Sequence, residues 1–206
     1  MRIIVDESSL PPSLPLALYG RVRIGTLETD AGLRFAFSLG LSQAEAGQLK
    51  SLSLADDPAL RENTSDYERF GTGSYEVWYA KGRSIFALTD ETSGALAAIV
   101  WYGPKPLGRK SLKHLSPEEQ AREHESVKDA GDWHTIVFRS YPPYRGTGIM
   151  TGFAQATLDI YKKYYPAARL WAGINGMNAG SIRLCEKLGF HRDESISSSE
   201  WVGMVR

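Results

Sequence analysis

Between Pro142 and Gly152 the chain reads Pro-Pro-Tyr-Arg-Gly-Thr-Gly-Ile-Met-Thr-Gly, residue types suited to holding an anion. Gly146 and Gly148 lack the Cβ atoms that would keep a phosphate off the backbone, and Arg145 sets a planar cation beside them. An alternating, β-prone run from Trp133 to Tyr141 comes before this stretch, and a helical pattern from Ile149 to about Tyr165 comes after it. A strand that turns through glycines into a helix leaves several N–H groups unpaired. The aligned peptide dipoles gather about half a positive charge there, so the turn is expected to hold a phosphate or pyrophosphate. On the strand, alternation puts His134, Ile136, Phe138 and Ser140 on one face and Thr135, Val137, Arg139 and Tyr141 on the other. An imidazole, titrating near pH 6.5 when unperturbed, suits proton transfer at neutral pH. The other reading of His134 is a core histidine held by hydrogen bonds.

Other chemistries find no support. The run Gly103-Pro-Lys-Pro-Leu-Gly108-Arg109-Lys110-Ser111 misses the P-loop spacing by one residue, and its prolines remove amides from the cradle. No Gly-x-Ser-x-Gly elbow occurs. His114, His124 and His191 lack partners at metal-ligand spacing, so no metal is expected. The single cysteine, Cys185, excludes an internal disulfide framework and fits a reducing, cytoplasmic setting. Lys+Arg and Asp+Glu number 24 each, which gives no global field toward nucleic acid or an anionic membrane. No apolar run approaches the ~20 residues of a membrane span.

These residues must be positioned by one α/β domain of ordinary composition, with 42% hydrophobic and 23% charged residues. Arg2 to Val5, Arg21 to Leu27 and Leu33 to Leu39 read as short strands of an N-terminal extension, residues 1–40, packed on a domain of residues 41–206. Ser42 with Glu45 predicts a capping box, followed by a helix with Leu49, Leu52 and Leu54 on its apolar side. Pro58 to Phe70 is expected as a second, polar helix, and Tyr75 to Ala80 fits strand or helix equally. Strands follow at Ser84 to Thr89 and Ala95 to Tyr102. Ser116-Pro117-Glu118-Glu119 starts a helix reaching about Asp129, read as an insertion ahead of the Trp133 strand. The helix from Ile149 should bury Met150, Phe153, Ala154, Leu158 and Tyr161. A strand from Arg169 to Ile174, a helix from Ala179 to Leu188 closed by Gly189, and a last strand from Trp201 to Val205 complete the chain.

Two motifs carry a family resemblance. Arg145-Gly-Thr-Gly148-Ile-Met150, preceded by Pro142-Pro143-Tyr144, resembles the acyl-CoA signature Arg/Gln-x-x-Gly-x-Gly/Ala of the GCN5-related N-acetyltransferases (GNAT). The run Asn178-Ala-Gly-Ser181-Ile-Arg-Leu-Cys185-Glu-Lys-Leu-Gly189-Phe190 is similar to the same family's later helix. The clear similarity covers about the last third of the chain. It implies a GNAT-like mixed sheet, splayed between two parallel strands and flanked by helices, with acetyl-CoA or another short acyl-CoA in the cleft. The pantetheine arm would pair with Phe138, Arg139 and Ser140. The diphosphate would lie on amides from Arg145 through Gly146, Thr147, Gly148 and Met150 to Thr151, and Asn178 would stand beside the pantetheine. Met150 replaces the family's usual glycine or alanine. Cys185 stands where many members carry the tyrosine that protonates the departing thiolate.

The implied activity is transfer of an acetyl group to a primary amine by direct attack in a ternary complex. A lysine-like amine, pKa ~10.4, is neutral in only about one part in two thousand at pH 7, so a base must act. His134 lies eleven residues before Arg145, as does the catalytic glutamate of the histone-acetylating branch. Cys185 or Tyr141 (Tyr144 being a further candidate) would supply the leaving-group proton. Cys185 also sits where a Schellman closure before Gly189 and Phe190 places an apolar contact. The alternatives are an acyl-CoA-binding or regulatory protein without transfer activity, and a dinucleotide-binding oxidoreductase. The second lacks the expected acid after Asn175. Asp56, Asp57, Glu62, Asp66 and Glu68 give an acidic tint suited to a cationic amine. Small-molecule and peptide acceptors both stay open, as does a homodimer.

Overall fold

A computed structural model describes residues 1–109, 116, 118 and 130–206. In chain order the elements are β1 (Arg2–Val5), β2 (Val22–Glu28), β3 (Arg34–Leu39), α1 (Gln43–Leu54), α2 (Pro58–Asn63), a π-helical turn (Tyr67–Gly71), α3 (Tyr75–Tyr79), β4 (Ser84–Asp90) and β5 (Leu96–Pro104). They continue with β6 (Trp133–Ser140), α4 (Ile149–Tyr164), β7 (Arg169–Asn175), α5 (Ala179–Lys187), β8 (His191–Arg192) and β9 (Trp201–Val205). The architecture is mixed α/β, a splayed and mostly antiparallel sheet with flanking helices. The helical insertion expected from Ser116 to Asp129 lies outside the described residues, apart from exposed Ser116 and Glu118. The chain forms two compact units.

The first unit comprises Met1–Leu52, Arg83–Tyr102 and Val137–Pro166. Strands β1 to β5 pair in sequence order, all antiparallel. Residues of the expected extension thus supply β1, β2 and β3, with β3 laddered to β4 from Phe35↔Asp90 to Leu39↔Phe86. The capping box forms in both directions: Ser42 N donates to Glu45 Oε2 (2.9 Å) and Glu45 N to Ser42 Oγ (3.3 Å). Glu45 Oε1 also accepts from Arg21 Nε and Thr89 Oγ1, which ties α1 to β4. Helix α4 buries Ile149, Phe153, Ala154, Thr157, Leu158, Ile160 and Tyr161. Phe153 meets Phe37 edge-on (5.3 Å), Tyr161 stacks on Tyr102 (4.2 Å), and Tyr102 shares a 2.9 Å hydrogen bond with Thr157. Each such ring buries roughly 1.5–3 kcal/mol of apolar transfer free energy, so the helix is held along its length. Met150, expected on this face, is only half-buried.

The second unit comprises Ser53–Gly82, Gly103–Ile136 and Ala167–Arg206. Here β6 pairs in parallel with β7 over Trp133↔Arg169, His134↔Leu170 and Thr135↔Trp171, and the register ends there. Strand β7 then pairs antiparallel with β9, and β9 with the short β8. The expected helix from Pro58 to Phe70 is broken. α2 stops at Asn63 because Thr64 is extended (φ −140°, ψ 167°), with its Oγ1 accepting from Asp66 N. Tyr75 to Tyr79 resolves as a helix capped by Ser74, and its Tyr75, Trp78 and Tyr79 join Phe70 in a buried aromatic cluster. Leu54, expected on the apolar side of α1, is 43% exposed. No helix among the described residues is long and apolar enough to cross a membrane.

Candidate functional site

The phosphate-type turn lies wholly in the first unit. Tyr141 N donates to Ala97 O (2.9 Å), fixing the end of β6. The chain then turns through a cis Pro142–Pro143 peptide, and Tyr144 N returns to Tyr141 O (2.8 Å). Tyr144 anchors the turn from inside: its ring meets Phe35 edge-on at 5.4 Å, and its hydroxyl lies 3.3 Å from Ser93 Oγ in the β4–β5 hairpin. Burial and nearby Asp90 raise the Tyr144 pKa. The hairpin is itself tied by Asp90 Oδ1, which accepts from Thr92 N and Ser93 N (2.8 Å each). Ser93 had no motif to mark it; its only signal was a place in a polar hairpin loop.

Beyond Tyr144 the turn opens. Thr147 is used internally, its N–H and hydroxyl both donating to Tyr144 O (3.4 and 2.7 Å). Gly146 and Gly148 take left-handed φ values of 80° and 83°, and a Cβ built on either meets nothing within 4 Å. That conformation favours glycine, and the space beside it is open. Gly148 is the N-cap of α4 and brings no side-chain hydrogen bond to the helix start. The first-turn N–H groups, at Ile149, Met150 and Thr151, therefore lack both an intrahelical acceptor and a side-chain cap. An anion fits such a start.

Strand β6 supplies the approach to this turn. Phe138, Arg139 and Ser140 are each half-buried. Arg139 Nη1 donates to Phe138 O (2.8 Å), and the Arg145 guanidinium reaches back to Ser140 O (3.3 and 3.4 Å). The two arginines thus gather on the carbonyl edge of the same three residues. Tyr141, expected as a proton donor, is 1% exposed.

The remaining expected residues belong to the second unit. His134 is buried on the paired stretch of β6. Asn178 caps α5, its Oδ1 accepting from Ser181 N (3.1 Å). Cys185 closes the same helix. Phe190 N donates to Cys185 O and Gly189 N to Glu186 O (3.0 Å each), with Gly189 at φ 79°: the two bonds of a Schellman closure. Cys185 is fully buried, and burial pushes its thiol up to about 12. Of the five acids, Asp57 caps α2 through Leu60 N, and buried Asp66 pairs with Arg69 Nη1 at 2.9 Å.

The comparisons with known proteins agree with this geometry. A family profile described as an acetyltransferase (GNAT) domain matches residues 40–191. No curated protein sequence matches the chain. Among solved structures, a ribosomal-protein-S5-alanine acetyltransferase from Vibrio fischeri superposes with a TM-score of 0.56 at 13% identity, over 88% of this chain and 95% of that one. A ribosomal L7/L12 alpha-N-protein acetyltransferase in complex with coenzyme A gives 0.55 at 13% identity, over 82% and 93%. A spermidine N-acetyltransferase chimera from Vibrio cholerae and hSSAT gives 0.52 at 15% identity, over 82% and 92%. At these identities the structures share the fold. The family match spans most of the chain, and with it the turn from Tyr141 to Thr151 and the helix from Asn178 to Phe190; the chain belongs to the GNAT acetyltransferase family.

Proposed function

We propose that the protein moves an acetyl group from acetyl-CoA to a primary amine, carried by a small molecule or a peptide, by direct attack in a ternary complex. The observation that carries this reading is the start of α4, where two left-handed glycines stand before first-turn amides with no side-chain cap. Arg145, Gly146, Thr147, Gly148, Met150 and Thr151 would hold the diphosphate. Thr147 acts through the turn it closes, since its own amide is taken by Tyr144. Phe138, Arg139 and Ser140 would line the pantetheine arm, with Arg139 and Arg145 leaving the strand carbonyls they now occupy. Asn178 would stand near that arm while capping α5. Acetyl-CoA supplies the activated acyl thioester; the chain supplies proximity, worth on the order of 7–11 kcal/mol at best, and proton transfer.

His134 is assigned as the base that takes the amine proton. Of the two proton donors, Tyr141 fits better than Cys185. A thiol pushed up to about 12 is a weaker acid than a phenol of ordinary pKa ~10; both are weaker than the leaving thiol at ~8.5, so transfer from Cys185 runs further uphill. The acceptor class is supported by solved relatives whose names include ribosomal-protein-alanine and spermidine acetyltransferases.

The test is calorimetric titration with CoA and acetyl-CoA, followed by thiol release in the presence of a panel of amines. Binding with turnover supports the proposal. Binding without turnover leaves an acyl-CoA-binding protein, and no binding removes the reading altogether. In an active protein, His134→Gln should lower kcat/KM by about a hundredfold and remove the extra fall that protonation of an imidazole base adds on the acid side, leaving the fall set by protonation of the amine. An unchanged pH profile would take His134 out of the mechanism.

A further inference from the structure

The N-terminal residues run beside α4 from its first turn to its last. At the first turn, a Cβ built on Gly152 would run into Met1 Cε and lie 3.0 Å from Ile3 Cδ1. At the last, Lys163 Nζ bonds Glu7 Oε1, Tyr164 OH donates to Pro11 O and Tyr165 OH to Leu14 O, each at 2.6 Å. Order is kept along both segments: later residues of the N-terminal stretch meet later residues of the helix. Between these ends β1 is laddered to β2, so the segment is anchored to the sheet as well as to the helix. The matched family stretch begins only at residue 40, so this contact comes from chain outside it.

Gly152 belongs to the glycine run read as an anion motif, yet it faces the N-terminal segment. Glycine inside a helix is unfavourable relative to alanine. Its missing side chain is what lets Met1 and Ile3 close on the turn whose amides begin α4.

We propose that residues 1–15 form a strap that sets the position of α4, and through it the first-turn amides that receive the coenzyme diphosphate. Gly152, Ile3, Tyr164 and Tyr165 are its positioning residues, and the assignment rests on the acetyl-CoA reading above. The strap is built to act on binding rather than on the acyl-transfer step, since its contacts at Gly152, Lys163, Tyr164 and Tyr165 lie along the helix that opens at the diphosphate turn.

The test uses the full chain with Ile3→Ala at one end of the strap and the double variant Tyr164→Phe/Tyr165→Phe at the other. The tyrosine variant removes two hydroxyls without changing ring packing, and Ile3→Val serves as the conservative control. Each loosened end should raise the Kd for CoA about three- to tenfold, with kcat at saturating acetyl-CoA within about twofold of wild type. Hydrogen exchange at Ile149 to Thr151 should quicken in both, and Ile3→Val should restore most of the affinity. Variants that melt earlier but bind CoA as the wild type does would overturn the strap while leaving the acetyl-CoA reading intact. A wild-type chain that fails to bind CoA would overturn the acetyl-CoA reading itself, and the strap's coenzyme role with it.

Discussion

Helices α4 and α5 both follow a strand of the sheet, and they begin in opposite ways. At α5 the Asn178 side-chain Oδ1 accepts from the amide of Ser181, the arrangement that stabilises a helix start by about 0.5–2 kcal/mol. At α4 that stabilisation is forgone: the cap is a left-handed glycine with no side chain to offer. The chain uses capping residues elsewhere, with Ser42 and Glu45 at α1, Asp57 at α2 and Ser74 at α3. Among the described residues, the one long helix without such a cap is therefore a local departure from a rule that the other described helices follow. Departures of this kind belong where the missing partner is a ligand.

The contrast can be broken most forcefully at Gly148. Gly148→Val puts a branched side chain at φ 83° and fills the open space beside the turn. CoA affinity measured by calorimetry should fall by about a hundredfold, from strain of roughly 1–2 kcal/mol plus the clash. Unchanged affinity would mean that the start of α4 holds no diphosphate.

The far end of α5 gives the next largest effect. Cys185 keeps its proton in the folded chain to about pH 12, whereas an unfolded thiol releases it near pH 9. The unfolded state then binds fewer protons, so stability is full below pH 9 and falls as pH rises toward 12, by ~1.4 kcal/mol per pH unit. Cys185→Ala should flatten that alkaline decline in Tm while retaining turnover at pH 7. Tyr79, also pushed up to about 12 by burial, adds a decline above pH 10 that both proteins share. Equal slopes in the two proteins would show that the thiol is not buried in solution.

The smallest effect is expected at Asn178. Asn178→Ala should lower Tm by about 2–6 °C through loss of the cap, and Asn178→Asp should recover it. A large change in CoA affinity with little change in Tm would make Asn178 chiefly a ligand contact.

The two motifs were legible because each is a local pattern: glycines that permit a left-handed turn, and an asparagine ten residues ahead of a Leu-Gly-Phe closure. What they do was less legible. Asn178 could be read as polar, but whether its oxygen faces a ligand or its own helix depends on backbone geometry. Gly152 could be read as one more glycine of the anion run, because its partner is more than a hundred residues away in sequence. The helix expected through Phe70 failed at Asn63-Thr64-Ser65, where short polar side chains compete for the backbone's hydrogen bonds. Strand β8 is two residues long and lies below what alternation can reveal.

The sealed Schellman closure also shapes how the protein can be measured. Its one sulfhydryl, on Cys185, is buried with no exposed surface, so a disulfide reagent added to the native chain should find nothing to label. Colour developing during turnover would then report released coenzyme alone, and colour without any amine or acyl donor would time the opening of α5.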